Sequence, residues 1–252
     1  SAFPGAEGFG AETAGGRGGK IVIVNNLLLD DARNPIPGSL RYALTEINEP
    51  RIVIFKVAGT IYLENRLELL EEDSYVSVYG QTAPGNGITI ATYPIELHNN
   101  FHDGVFQHIR VRIGTNEQWR SPTERELEAC QTETCASLVQ PDFSIKDAFN
   151  LRNGVRDVIV DHSSFSWAQD ETISGGGNVK DITVQWSIIG AGSGKGHVEP
   201  DHAMGIFFAD VGMEKISFHH NLIINSRQRN PKTAAGDFRW VNNVFYNQRF
   251  YL

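Results

Sequence analysis

The sequence has no long hydrophobic run and no excess of basic residues. Its longest apolar stretches within the 252 residues, such as 21–24 and 52–55, have the length of strands, whereas a membrane-spanning helix needs about 18 or more apolar residues in succession. Lys and Arg number 22 against 30 Asp and Glu, a formal net charge of −8. Nucleic-acid-binding proteins usually present a basic face. The composition therefore predicts a globular protein that partners neither a membrane nor a nucleic acid.

Cysteine is scarce, with Cys130 and Cys135 as the only two. Their C-x4-C spacing has no second cysteine pair to complete a zinc site, so a small disulfide loop or two free thiols remain open. The glycine-rich segments at 15–19 and 190–196 lack the spacing of a phosphate-binding loop. Neither H-E-x-x-H nor G-x-S-x-G occurs, which argues against a zinc protease and a serine hydrolase with a nucleophile elbow.

Helical periodicity is convincing in one segment only. Four apolar residues recur at helical spacing within residues 38–48, Ser39 is placed as an N-cap, and Pro50 ends the helix. The remaining pattern is a series of short strand-like segments separated by Gly, Asn, Asp and Pro. So few helices exclude a doubly wound α/β sheet, whereas strand count alone leaves a sandwich or a barrel possible.

A repeat in the second half of the chain favours a different architecture. Each repeat begins at an apolar residue, at intervals of 24, 34 and 22 residues: Val158, Ile182, Ile216 and Phe238. A small polar residue follows five positions later in each repeat: Ser163, Ser187, Asn221 and Asn243. Such spacing is that of one turn of a parallel β-solenoid, in which the small polar residues would stack as an internal ladder. The longest interval then contains an inserted loop.

This architecture gives the helix at 38–48 a role. The first coil of a solenoid exposes an unpaired strand edge, and a helix laid across it would cover that edge. No equivalent cap follows at the other end, so that edge is expected to be bare, paired with another chain, or continued by further coils. The sequence thus predicts one all-β domain, residues 1–252, with an N-terminal capping helix.

Three acidic residues fall in consecutive predicted coils. Asp147 and Asp170 lie 23 residues apart, about one coil, and Glu171 follows directly. Carboxylates stacked on one face would suit a hard cation such as Ca²⁺, which takes oxygen ligands. The alternative is that both aspartates only terminate strands.

Three cations lie close together further along the chain. Arg227, Arg229 and Lys232 occur within six residues, and the two arginines would share a face if this segment were a strand. In a chain of net negative charge they indicate an anionic ligand, although a surface charge patch remains the alternative. Lys195, in the inserted loop, could reach the same place.

Five motifs, in this order along the chain, resemble those of the pectate lyases of polysaccharide lyase family 1. They are AFPGAEGFGAETAGGRGG, GSLRYAL, DHSSFSW followed by QDE, HHNLIINSRQRNPK, and RWVNNVFYN. The ordered series is more specific than any one motif. The resemblance implies a right-handed parallel β-helix that acts on the acidic polysaccharide polygalacturonate by β-elimination with bound Ca²⁺. It also implies secretion, with which the polar opening SAFPG agrees.

The resemblance implies roles for individual residues. The R-x-P motif of the family falls on residues 229–231, so Arg229 corresponds to the catalytic base. Lys195 corresponds to the substrate-binding lysine, and Asp147 and Asp170 correspond to calcium ligands. Because free guanidinium stays protonated far above neutral pH, an arginine base predicts an alkaline optimum.

Two positions depart from the family pattern. Ser174 stands where a further acidic ligand is usual, and Ala234 stands where another arginine is frequent. We expect Glu171 to supplement the calcium ligands, and Lys232 or Arg227 to contact a substrate carboxylate.

Two other functions remain open from the sequence. A galacturonan hydrolase of the same fold class would need paired carboxylates, for which Asp170 with Asp201 or Asp210 are the candidates. A non-catalytic carbohydrate-binding solenoid would need neither a base nor turnover.

Overall fold

The computed structural model describes residues 1–28, 30, 32–114, 147–193, 202–234 and 236–249. The expectations for Lys195, Asp201, Cys130 and Cys135 fall outside the described residues. Within these ranges no helix has both the length and the apolar character needed to cross a membrane.

The chain coils repeatedly through three sheets whose strand pairs are all parallel. The first sheet has eight strands in the order β1 (Lys20–Val24), β2 (Arg51–Phe55), β5 (Val76–Tyr79), β8 (His102–Gln107), β11 (Arg156–Asp161), β14 (Lys180–Gln185), β17 (Glu214–His219) and β20 (Phe238–Val241). The second sheet has seven, β3 (Gly59–Tyr62), β6 (Ile88–Ala91), β9 (Ile109–Arg112), β12 (Ser164–Ser166), β15 (Ile188–Gly190), β18 (Leu222–Ile224) and β21 (Val244–Tyr246). The third has six, β4 (Leu67–Leu69), β7 (Ile95–Leu97), β10 (Phe149–Arg152), β13 (Glu171–Gly176), β16 (Met204–Phe208) and β19 (Lys232–Thr233). Each complete coil contributes one strand to each sheet, which makes the fold a parallel β-helix.

The strand register confirms the repeat inferred from the sequence. Val158 pairs with Ile182, Ile182 with Ile216, and Ile216 with Phe238. Parallel in-register pairing requires each coil to present its apolar residues at equivalent positions. Apolar residues therefore recur in the sequence at intervals of about one coil.

The predicted polar ladder also forms. The backbone N–H of Ser163 donates to Ser187 Oγ at 3.1 Å, that of Ser187 to Asn221 Oδ1 at 2.9 Å, and that of Asn221 to Asn243 Oδ1 at 3.0 Å. These N–H groups lie at the corner between the first and second sheets, where the chain turns. The side chains supply acceptors for buried donors that would otherwise lack them.

The core is a continuous apolar column inside the coil. Phenylalanine side chains from neighbouring coils contact one another along it, with ring centroids 5.6 Å apart for Phe106 and Phe149 and 5.4 Å apart for Phe149 and Phe165. All three rings are fully buried. Strand side chains alternate between this column and the outer surface, so the outward positions are those available for a site.

The capping helix is shorter than predicted. It spans α1 (Leu40–Thr45), with Ser39 as N-cap accepting from the Tyr42 N–H at 3.2 Å. The fully buried guanidinium of Arg51 donates to the carbonyls of Ala43 and Leu44 and so satisfies groups that another helical turn would have used. Among the residues that the structure describes, the other helical segments are two 3₁₀ turns, Glu71–Asp73 and Gly80–Thr82.

Candidate active site

The acidic cluster lies at the N-terminal ends of β10 and β13, two neighbouring strands of the third sheet. Asp147 lies two positions before the first residue of β10. Asp170 directly precedes β13, and Glu171 is the first residue of β13. Ligand oxygens of these three side chains all lie within 4.8 Å of one another. Asp147 and Glu171 are also joined through the backbone, since the Glu171 N–H donates to Asp147 Oδ1 at 3.2 Å. The structure therefore brings together all three predicted calcium ligands.

The carboxyl of Asp147 is buried, and burial disfavours its charged form. Burial raises the pKa of its carboxyl from the ordinary value of 3.8 to about 7; the hydrogen bond from Ser174 lowers it, and the charge of Asp170 raises it. Arg152 Nη2, 3.9 Å from Asp147 Oδ2, opposes the rise only weakly. A negative charge at this position is therefore poorly compensated by the protein itself.

Ser174 takes part in the cluster without supplying charge. It lies on β13, in register with Asn150 and Phe207 of the adjacent strands, and its hydroxyl donates to Asp147 Oδ2. The position at which the family resemblance led us to expect an acidic ligand is thus occupied by a neutral hydrogen-bond donor.

Arg229 reaches the cluster from two coils beyond Glu171, since Glu171 pairs with Met204 and Met204 forms a bridge with Gln228. Its Nη1 is in contact with the Glu171 carboxylate and lies 3.7 Å from Asp170 Oδ1. The backbone of Arg229 is fixed against β16, because its carbonyl accepts the Ile206 N–H at 2.6 Å. A Cβ at Gly205 would lie 2.5 Å from that carbonyl oxygen, so only glycine permits this approach.

The segment that carries Arg227 and Arg229 is not the strand that the sequence allowed, and only Lys232 belongs to a strand, β19. Between β18 and β19 it forms turns with one isolated bridge, from Gln228 to Met204, and Arg229 has a left-handed φ of +58°. Such a backbone is uncommon outside glycine and is frequent at functional sites. The argument that alternation places Arg227 and Arg229 on one face therefore does not apply, and the role of Arg227 stays a prediction.

Phe207 organises the cations that do approach the cluster. The Arg229 guanidinium carbon lies 5.0 Å from its ring centroid, and Lys232 Nζ lies 5.6 Å from it. Both distances are those of cation–π contacts. The sequence analysis assigns no role to Phe207. Its position in β16, one coil after Ser174, could have indicated that it lies near the cluster.

His202 was also assigned no role from the sequence. Its side chain is buried, and Nε2 lies 2.8 Å from Asp170 Oδ1. His202 reaches Asp170 because Met204 pairs with Glu171, which places the residues before β16 beside those before β13. His202 lies two residues before Met204. Its proximity to Asp170 can be inferred from the sequence only when the register of β13 and β16 is known.

The carboxylate pair needed by the hydrolase alternative does not form from Asp170 and Asp210. Asp170 precedes β13, whereas the Asp210 carboxylate lies against Gly176 at the other end of that strand. Six residues of strand span roughly 20 Å, well beyond the roughly 5–10 Å between the carboxyl groups of glycosidases. Asp201 lies outside the described residues.

Comparison with known proteins agrees with the sequence resemblance. No family model matches the sequence. Over 98% of its length the chain is 38% identical to a protein of Emericella nidulans named probable pectate lyase C, and 37% identical to one of the same name from Aspergillus fumigatus. The aligned region covers 48% of each relative, so the chain spans about half the length of the curated relatives it matches. The resemblance to pectate lyases is thereby confirmed.

Solved structures confirm the fold. The crystal structure of jun a 1, the major allergen from cedar pollen, superposes with a TM-score of 0.61 at 19% identity, covering 96% of this chain and 66% of that one. A pectate lyase from Bacillus sp. N165, in complex with trigalacturonate, gives a TM-score of 0.57 at 16% identity and covers 95% and 68%. At these identities the likeness supports the architecture alone.

Proposed function

We propose that this chain carries the site of a Ca²⁺-dependent lyase that cleaves polygalacturonate by β-elimination to unsaturated oligogalacturonides. The observation that carries the proposal is the contact of Arg229 with Glu171 beside Asp170 and Asp147. This contact supports the proposal because the proposed proton acceptor and the proposed cation ligands lie within the span of one sugar ring. The relatives named probable pectate lyase C and the neighbour in complex with trigalacturonate support this substrate class.

The donor set fits Ca²⁺. Its three carboxylates offer only oxygen, the ligand atom that Ca²⁺ prefers, and the raised pKa of Asp147 marks a charge for which the protein provides little compensation. A bound Ca²⁺ would withdraw charge from a uronate carboxylate and make the neighbouring C5 proton more acidic. Asp147, Asp170 and Glu171 are the residues that would bind it.

Arg229 is the residue proposed to accept the C5 proton. The electrons of the C5–H bond form the C4–C5 double bond, the C4–O bond breaks, and the leaving oxygen takes a proton from solvent. Glu171 and Asp170 then face a charged guanidinium and stabilise it electrostatically. The same carboxylates pair with Arg229 before reaction, so a cation that binds them would release the guanidinium to the substrate.

The remaining cations are proposed to bind the substrate. Lys232 and Arg229 both lie over the ring of Phe207, and these contacts hold two positive charges close together for the carboxylates of a uronate polymer. We assign contacts with uronate carboxylates to Lys232, Arg227 and Lys195, the last on the family resemblance alone. A polymeric substrate of this kind places the protein outside the cell, as the resemblance implies.

The test is incubation with polygalacturonate in Ca²⁺ or in EDTA, followed by ultraviolet absorbance. A lyase generates a double bond conjugated with the carboxylate, so absorbance should rise in Ca²⁺ and stay flat in EDTA. Reducing ends without absorbance would instead indicate a hydrolase. Binding without either product would indicate a carbohydrate-binding solenoid.

A further inference from the structure

Two histidines meet at the corner between the first and second sheets, remote from the third sheet that carries the acidic cluster. His108 follows β8 and His162 follows β11, and each adopts a left-handed φ, +53° and +47°. Gln107 pairs in register with Asp161, so the two histidines occupy the same corner of adjacent described coils. Both side chains are exposed.

The two imidazoles are close enough to share a ligand. Their ring centroids lie 5.0 Å apart at an interplanar angle of 21°, and ligand atoms of His108, His162 and Asp161 all lie within 4.8 Å of one another. Two nitrogens bound to one tetrahedral Zn²⁺ would be roughly 3.4 Å apart, given Zn–N bonds of about 2.0–2.1 Å. The two rings are nearly parallel, and His162 also stacks on Trp186 with ring centroids 6.1 Å apart, so binding of one ion by both histidines requires their imidazoles to turn towards each other.

Asp161 fixes the orientation of His162. Its buried carboxylate lies 2.9 Å from His162 Nδ1, and it accepts hydrogen bonds from Gln185 Nε2 on Oδ1 and from Gln107 Nε2 on Oδ2, both at 2.7 Å. With Nδ1 engaged, Nε2 is the nitrogen left to bind a metal. A carboxylate behind a histidine is the usual arrangement that orients an imidazole ligand and raises its basicity.

We propose that His108 and His162 form a binding site for a divalent transition-metal ion such as Zn²⁺, with Asp161 as the positioning residue. Imidazole nitrogen suits Zn²⁺, Ni²⁺ and Cu²⁺, whereas Ca²⁺ requires oxygen ligands, so this site and the carboxylate cluster differ in metal preference. One coil further on, the same corner holds Trp186, whose ring stacks on His220 at 4.3 Å, so that stacked pair contains only one imidazole. The proposal is independent of the lyase chemistry proposed above.

The geometry predicts a consequence for stability. The two histidines lie 54 residues apart in the chain and in adjacent coils, so a metal bound by both would cross-link those coils. A ligand that binds only the folded state raises its stability. Zn²⁺ should therefore raise the melting temperature of the protein.

The experiment uses the full chain, freed of metal with EDTA, dialysed, and kept in saturating CaCl₂ so that Ca²⁺ competes for oxygen sites. ZnCl₂ binding is measured by calorimetry, with melting temperature as a second readout. The variants are His108→Asn and His162→Asn, with His220→Asn as the control at the same corner. Asparagine tolerates the left-handed backbone, as Asn242 does at that corner.

We expect the wild type and the His220→Asn variant to bind Zn²⁺ alike and to melt at a higher temperature when it is added. His108→Asn and His162→Asn should each weaken binding by about tenfold or more and lose the thermal shift. The proposal is overturned if the wild type binds no Zn²⁺ in the presence of Ca²⁺. It is equally overturned if both histidine variants bind as the wild type does, or if His220→Asn abolishes binding to the same extent.

Discussion

The guanidinium of Arg229 is paired with the carboxylate of Glu171, which belongs to β13, two coils earlier in the chain. Adjacent residues within a strand point to opposite faces of the sheet, which would separate Glu171 from Asp170 if both lay within β13. Both nevertheless face Arg229, because Asp170 precedes the regular part of β13. The pairing couples the proposed base directly to the proposed metal ligands.

Replacing Arg229 by lysine should abolish most of the lyase activity while retaining the positive charge. Loss of a positioned proton acceptor costs roughly 10²–10⁴-fold in rate. The measurement is the initial rate of ultraviolet-absorbing product with polygalacturonate and Ca²⁺, alongside substrate affinity, which should change far less. Arg156→Lys, on the first sheet, is the matched control; a rate for Arg229→Lys equal to that of this control would exclude Arg229 as the base.

Ca²⁺ affinity should depend on the three clustered carboxylates. Asp147→Asn and Glu171→Gln each remove one charged oxygen ligand while keeping the size of the side chain, so each should weaken Ca²⁺ binding by about tenfold or more. Calorimetric titration of the EDTA-treated protein measures this directly. Asp237→Asn, an exposed carboxylate on another sheet edge, should bind as the wild type does. Unchanged affinity in both cluster variants would locate Ca²⁺ elsewhere.

Without Ca²⁺, the stability of the protein should carry a pH dependence that originates at Asp147. Burial raises the pKa of Asp147 to about 7 and that of Asp73 to about 6, both from the ordinary value of 3.8. Between about pH 4 and pH 7 the folded state therefore binds more protons than the unfolded chain. The contribution of these groups to the free energy of unfolding is complete below pH 4 and is lost as the pH rises through 6 and 7.

Urea unfolding in EDTA across this range tests that dependence. Asp147→Asn cannot ionise, so its free energy of unfolding should fall less steeply with pH than that of the wild type. Asp237→Asn should leave the slope unchanged. If Asp147→Asn and the wild type show the same slope, the carboxyl of Asp147 titrates as an ordinary one.

The architecture could be predicted from the sequence because a solenoid repeats its contacts. Val158, Ile182, Ile216 and Phe238 have the register that their spacing indicates, and the same arithmetic brought Asp147 and Asp170 together. Each coil must present similar side chains at similar places, so local pattern and tertiary contact carry the same information.

Contacts outside the repeat left no such signal. Arg51 reads as a surface cation in the sequence, yet it is fully buried because helix and loop carbonyls surround it. Arg229 reaches its partners from a turn, and His202 approaches Asp170 after an insertion that interrupts the period. These positions depend on side chains meeting across coils at irregular offsets, which no periodic pattern records.

The internal ladder makes a final prediction about stability. Asn221 Oδ1 accepts the buried N–H of Ser187 at 2.9 Å, and its Nδ2 donates to the Val184 carbonyl at 2.8 Å. Asn221→Ala would leave both backbone groups buried without these partners, at a cost of about 1–3 kcal/mol for each. Urea unfolding should therefore show a loss of about 2 kcal/mol or more, with the denaturant slope unchanged.

The matched control for the ladder is Asn65→Ala, which removes an exposed side-chain oxygen that accepts one hydrogen bond from the Arg66 N–H. Water can replace that bond, so its loss should change the free energy of unfolding by no more than about 0.5 kcal/mol. If Asn221→Ala were as mild as this control, the buried N–H of Ser187 would have another acceptor. The stacked small polar side chains would then not be the acceptors that satisfy the buried N–H groups at the corner between the first and second sheets.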